Sequence, residues 1–268
     1  MLGKYMKHEF QETGKLMIAL NLVILVVTLL GVLLLGSRLF SSPPMMLLGI
    51  ISLMLYIFGL IAIYIVAYVY FTVRFYKTMY TSQGYLTHTL PLTTAGILNT
   101  KILVSLFWTV VTVLMTFLSI IALVATAAGQ EWGKMAIHIQ NNFIPNRGFA
   151  GFLVLFFFLL LAGCLQQLLM VYASLSIGQL FRQYRVLASI GVFILMYIAL
   201  QILSTVTMFV AQLFSIDKLT AHMAAQTSES FFAFYRGILS VSSIECILLC
   251  ILFYVLCYWL TNKKLNLE

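Results

Sequence analysis

Residues 39–73 read LFSSPPMMLLGIISLMLYIFGLIAIYIVAYVYFTV, 35 positions without one Asp, Glu, Lys or Arg. A helix needs about 20 consecutive apolar residues to cross the hydrocarbon core of a bilayer, so this run predicts a membrane span. Outward from it, residues 16–37, 102–130, 148–181 and 186–216 are equally free of charge, and 237–262 holds only Glu245. Six spans follow, at about 17–36, 45–73, 102–127, 149–177, 186–213 and 239–260. Helices are the default in lipid, which offers backbone groups no hydrogen-bond partner, and the two-residue alternation of a barrel strand is absent. The expected fold is therefore all-α, a polytopic membrane protein with a single transmembrane domain over residues 1–268.

Composition agrees. Apolar residues make up 63% and charged residues 8% of the chain, against about 45–50% and 25% in an average soluble domain. The net charge of +8 does not point to nucleic acid, because the basic residues stand at the ends of apolar runs and form no continuous patch. Cys164, Cys246, Cys250 and Cys257 all fall inside apolar runs without Cys-x-x-Cys spacing. They read as small packing residues rather than metal ligands or a redox pair.

Lys and Arg set the orientation. One side of the predicted topology carries Lys4, Lys7, Lys15, Arg74, Lys77, Lys101, Arg182, Arg185, Lys263 and Lys264; the other carries Arg38, Lys134, Arg147, Lys218 and Arg236. Ten against five places both termini in the cytoplasm. Residues 1–15 mix charges with Leu2, Tyr5, Met6 and Phe10, which predicts a short interfacial helix along the inner membrane face. The apolar run after it is too long for a signal-peptide core and has no small-residue cleavage site. Beyond the Pro43-Pro44 turn, the outer segments 128–148 and 214–238 carry helix-like apolar spacing, with Ile216, Leu219 and Met223 on one face and Phe231, Phe232, Phe234 and Tyr235 at headgroup level.

Residues 74–101, RFYKTMYTSQGYLTHTLPLTTAGILNTK, separate two of the charge-free runs with three basic residues and no acid. Phe75, Tyr76, Met79, Tyr80, Tyr85, Leu86 and Leu90 crowd this stretch beside turn-forming Gly84 and Pro91. An exposed apolar cluster in an inner loop predicts a docking site for a partner; singly, the glycine and proline would be ordinary turn residues.

Tyr80-Thr-Ser-Gln-Gly-Tyr-Leu-Thr-His-Thr-Leu-Pro-Leu92, followed by Ile97, Leu98 and Lys101, resembles the first cytoplasmic loop of ABC-2 type transporter permeases. Tyr172-Ala-Ser-Leu-Ser-Ile-Gly-Gln-Leu-Phe181 and Lys263-Lys-Leu-Asn-Leu-Glu268 are similar to stretches in the same positions of that family. Where its members commonly carry an acid before the Gly-Tyr, this chain has Gln83, which still hydrogen-bonds. The resemblance implies a permease subunit of an ATP-binding cassette exporter in a bacterial cell (inner) membrane. It also implies a separate cytoplasmic ATP-binding subunit, holding ATP and Mg, that docks at Tyr80, Gln83, Gly84, Tyr85, Leu86, Leu90 and Pro91, and pairing with a second permease copy or a paralogue.

The chain itself carries no phosphate-binding Gly-x-x-x-x-Gly-Lys-Ser/Thr; Gly14-Lys15 and Gly133-Lys134 lack both the earlier glycine and the following hydroxyl. His8-Glu9-Phe10-Gln11-Glu12 falls short of a zinc-protease His-Glu-x-x-His. No catalytic, cofactor or metal residue is therefore expected here, and an intramembrane enzyme would need a second buried ionisable group beside Glu245. A membrane sensor or signalling subunit that keeps the ATPase contact but moves no cargo is the alternative. Gln166 and Gln167, midway along span four, serve as helix-to-helix hydrogen bonds or as pathway residues, and Tyr56, Tyr64 and Tyr68 pack along span two, with pathway lining the alternative. Glu245, placed about 12 Å into span six from Gly237, either pairs with Arg236 or Lys218 near the interface or faces a polar vestibule as a pathway or gating group.

Overall fold

The computed structural model describes residues 2–36, 43–81, 83–84, 92–142, 147–181, 183–214, 220 and 228–263. They form seven helices and, among the described residues, no strand: α1 (Leu2–Gly36), α2 (Pro43–Tyr80), α3 (Thr94–Ala128), α4 (Gln130–Asn142), α5 (Arg147–Gly178), α6 (Arg185–Phe214) and α7 (Ser228–Lys263). All but α4 are long and apolar enough to cross a membrane. Each predicted span lies on one of them. Large apolar side chains such as Leu33, Leu55, Phe58, Val154 and Leu195 are exposed, the arrangement that lipid rather than water requires.

The chain divides into two compact units, Met1–Met135 and Ala136–Glu268. In the first, α1 packs most extensively on α3. Glu9, Thr13, Met17, Asn21, Ile24 and Thr28 recur every three or four residues and are all buried, so they form one face of α1. Their cross-helix partners keep a nearly constant offset. Asn21 Nδ2 donates to Thr112 Oγ1 at 3.3 Å and Thr28 Oγ1 lies 2.5 Å from Ser119 Oγ, both 91 positions apart, while Glu9 meets Lys101 at 92. A constant offset means that α1 and α3 run parallel. Gly14 and Gly31 let them close: a methyl at Gly31 would stand 2.9 Å from Leu123 Cδ2, and one at Gly14 3.2 Å from the Trp108 ring. Small residues and interhelical hydrogen bonds do this work where the hydrophobic effect cannot discriminate helix from lipid. Helix α2 runs the other way, with Tyr56 OH on Ser119 Oγ at one end and Arg74 on Glu9 at the other. Ile24, Tyr56, Leu60, Ile63 and Leu123 close the apolar core between the three.

The interfacial helix expected over residues 1–15 does not stand apart from the first span: residues 2–36 are one continuous helix, because the buried face that begins at Glu9 continues without phase change into the span, and Thr13 bonds to the Glu9 carbonyl inside the helix at 2.8 Å. At the far end α3 stops at Gly129, whose φ of 51° is left-handed backbone that favours glycine. Its N–H bonds to the Ala125 carbonyl at 3.2 Å. Helix α4 follows, as the apolar spacing of 128–148 predicts.

In the second unit α5 and α7 make the most extensive contact. They also run parallel. Phe149 and Phe152 meet Phe232 in tilted ring contacts, Cys250 Sγ lies 3.7 Å from the Ala162 carbonyl, and Ser176 Oγ lies 3.4 Å from Cys257 Sγ. The cysteines are free and act as packing groups, as their apolar setting predicts. Helix α6 returns from α5 after a tight turn in which Leu180 and Phe181 donate to the Ile177 and Gly178 carbonyls. Gly178 permits that approach, since a Cβ there would lie 2.7 Å from Ser189 Cα.

Candidate functional site

The stretch 74–101 is less loop and more helix than the sequence suggests. Helix α2 runs on to Tyr80 and α3 begins at Thr94. Thr93, in extended backbone, caps α3 by accepting from the Gly96 N–H at 3.2 Å. Phe75 and Met79 are buried, not exposed, as are Ile97 and Leu98. Phe75 and Met79 are thereby removed from the predicted exposed cluster. Of the candidate docking residues, Tyr80 is half-buried and touches the rings of Phe75 and Tyr76, and Gln83 is exposed. Gly84 is buried, its N–H on the Thr81 carbonyl at 2.7 Å. A methyl at Gly84 would meet the Met79 carbonyl oxygen at 2.6 Å, so this turn requires glycine for space. Tyr85, Leu86, Leu90 and Pro91 lie outside the described residues.

At the base of this segment sits a charged cluster that sequence reasoning missed. Arg74 approaches Glu9 in bidentate fashion, Nε to Oε1 and Nη2 to Oε2, both at 3.0 Å. Lys101 Nζ donates to Glu9 Oε1 at 3.2 Å and to Thr78 Oγ1 at 2.6 Å, and lies 5.9 Å from the centre of the Tyr5 ring. Glu12, half-exposed, adds a contact to Arg74 Nη1 at 3.6 Å. The Glu9 and Lys101 side chains retain only 7% and 3% of their exposure. One carboxylate thus joins α1, α2 and α3 at a single point. The parallel fork of guanidinium and carboxylate fixes angle as well as distance, and a buried charge of this kind is tolerated only because each member is paired.

Arg74 and Lys101, which the sequence offers as loop charges that set orientation, are ion-pair partners of an acid on another helix, Lys101 buried and Arg74 half-buried. The signal for this was faint. Glu9 sits in phase with Thr13, Met17 and Asn21, but only knowledge that α1 pairs with α3 at an offset near 91 brings it to Lys101.

The other candidate residues lie in the second unit. Glu245 stands 17 residues after Ser228 and 18 before Lys263, near mid-helix rather than close to an end, because α7 starts earlier than the predicted span. It does not pair with Arg236, whose guanidinium lies instead against Gly151; Lys218 is outside the described residues. Thr207 Oγ1 on α6 donates to Glu245 Oε2 at 2.6 Å. Nor is Glu245 the one charge on a long apolar helix, since Glu9, Arg74 and Lys101 all stand on such helices. Gln166 shares an open cleft of about 410 Å3 with Glu245, Gln201, Ser204, Thr205 and Ser242, whereas neighbouring Gln167 is exposed and is not among that cleft's lining residues. Tyr56 is buried, and Tyr64 and Tyr68 are half-buried along α2.

No group of three His, Cys, Asp or Glu that could hold a metal ion occurs among the described residues. No family model matches the chain, and neither a curated protein nor a solved structure does.

Proposed function

We propose that this chain is the membrane subunit of an ATP-driven exporter. Its six long helices cross a bacterial cell membrane with both termini cytoplasmic, it pairs with a second copy or a paralogue, and a separate ATP-binding subunit seats on residues 80–91. The resemblance of Tyr80–Leu92 to a permease coupling loop supports the partner. The observation that carries the mechanism is the Glu9–Arg74–Lys101 cluster: Arg74 lies six residues before Tyr80 and Lys101 seven after Thr94, about two helical turns on either side of the connecting segment. A push on that segment is delivered to three ion-paired helices rather than absorbed by a flexible loop. Such coupling biases the helices between two arrangements only through contacts that differ in the two states.

The test is purification of the tagged chain from its native membrane. An ATP-binding chain is expected to accompany it, and its consistent absence under mild solubilisation overturns the reading. Orientation is tested separately by impermeant thiol reagents in a background without the four native cysteines. Ser82→Cys is expected to react only from the cytoplasmic side and Ser228→Cys only from outside.

A further inference from the structure

Glu245 stands on the wall between two clefts of the second unit. One is the polar cleft that contains Gln166 and Ser242. The other, about 320 Å3 between α6 and α7, is lined apart from Glu245 and Thr207 by aliphatic side chains, among them Leu203, Val241, Ile244, Leu248 and Leu252. Among the described residues no lysine or arginine lines either cleft. Among the described residues the carboxylate has a hydroxyl as its hydrogen-bond partner and no ion pair. An acid near the middle of an apolar helix is costly unless something compensates its charge, and here the protein supplies a dipole where the first unit supplies two cations to Glu9.

We propose that the two clefts form one binding site for a monovalent cationic amphiphile. Its ammonium group sits at the Glu245 carboxylate, toward the amides and hydroxyls of the polar cleft, and its hydrocarbon chain lies among Leu203, Ile244, Leu248 and Leu252. One carboxylate balances one positive charge. A divalent cation would call for more oxygen ligands of the carboxylate kind, and a bare monovalent ion has no use for the aliphatic cleft that opens on the same oxygen atoms. A neutral lipid chain would fill the aliphatic side and leave the acid uncompensated. As a statement about cargo this rests on the export reading, but the binding itself needs no ATPase, so the two fail separately.

The experiment uses the full-length chain in nanodiscs of zwitterionic phospholipid and an alkyltrimethylammonium probe with a diazirine near the end of its chain. Illumination is expected to label α6 and α7 around Leu203 and Leu248 saturably, with displacement by dodecyltrimethylammonium but not by dodecanol, dodecyl sulfate or sodium chloride. Glu245→Gln, which keeps size and the Thr207 bond, is expected to weaken half-saturation about tenfold, the scale of one charge-assisted contact. Leu248→Trp fills the aliphatic cleft without touching the charge and is expected to abolish saturable labelling. Equal displacement by the neutral alcohol, displacement by sodium, or unaltered labelling in Leu248→Trp each overturns the proposal, the last even where the glutamine variant fails to fold.

Discussion

In the first unit polar side chains face one another across helices; in the second they line an opening. Asn21 meets Thr112, Thr28 meets Ser119, and Glu9 meets both Arg74 and Lys101. The second unit is joined by tilted aromatic contacts, sulfur contacts and a close glycine approach, while Gln166, Gln201, Ser204 and Glu245 border a cleft. Both units pair their first and third long helices in parallel, yet polarity serves register in one and access in the other. A carboxylate with two cationic partners fixes geometry; a carboxylate with a hydroxyl still has capacity for a ligand.

Removing each acid tests this contrast most sharply. Glu9→Ala leaves the buried Lys101 without its counter-charge, and loss of one partner from a buried pair costs about 3–5 kcal/mol. A fall in the thermal midpoint and poor recovery of folded protein are expected, measured by temperature-dependent size exclusion. Glu245→Gln is expected to change the same midpoint by less than about 0.5 kcal/mol equivalent, as a substitution away from a paired network does. Equal losses in the two variants would erase the distinction between the units.

Next in size is Tyr85→Ala, or Leu90→Glu. Each is expected to weaken association with the ATP-binding subunit by about 2 kcal/mol, the scale of a central anchor, while the thermal midpoint stays put. Unchanged co-purification with both variants removes the docking segment from the proposal.

Gly178→Ala probes the close approach in the second unit. The added methyl must displace Ser189 and its backbone, so a loss of about 1–3 kcal/mol is expected, read as a lower thermal midpoint. A smaller loss than at Gly178 belongs to Thr28→Val, which keeps shape but removes one rung between α1 and α3. Interhelical hydrogen bonds in membranes average about 0.6 kcal/mol, and a correspondingly slight shift is expected.

The six long helices were legible because charge-free runs report lipid contact directly. Their ends were not, since a composition window stops at a charge: Arg74 and Lys101 looked like loop residues because their counter-ion lies on a helix more than sixty positions away. The same blindness put Glu245 near an end of its helix, as Arg236 and Gly237 read as a boundary although α7 continues through them to Ser228. The sequence offers Gly84 as a turn residue within a docking segment. The reason for Gly84, a carbonyl oxygen occupying the space of a side chain, depends on how the chain folds back on itself and leaves no trace in residue order.

The offset of 91 between α1 and α3 also has a consequence in time. Ribosomes add roughly 5–20 residues per second, so about 5–18 s separate the emergence of Asn21 and Thr28 from that of Thr112 and Ser119. Throughout that interval α1 stands with the hydrogen-bonding edge of its helix unmatched, and α2 brings Arg74 to Glu9 before the rungs can close. Assembly of the first unit is thus ordered by synthesis: the charged end is tied first, and the seam then closes along the helix toward Ser119.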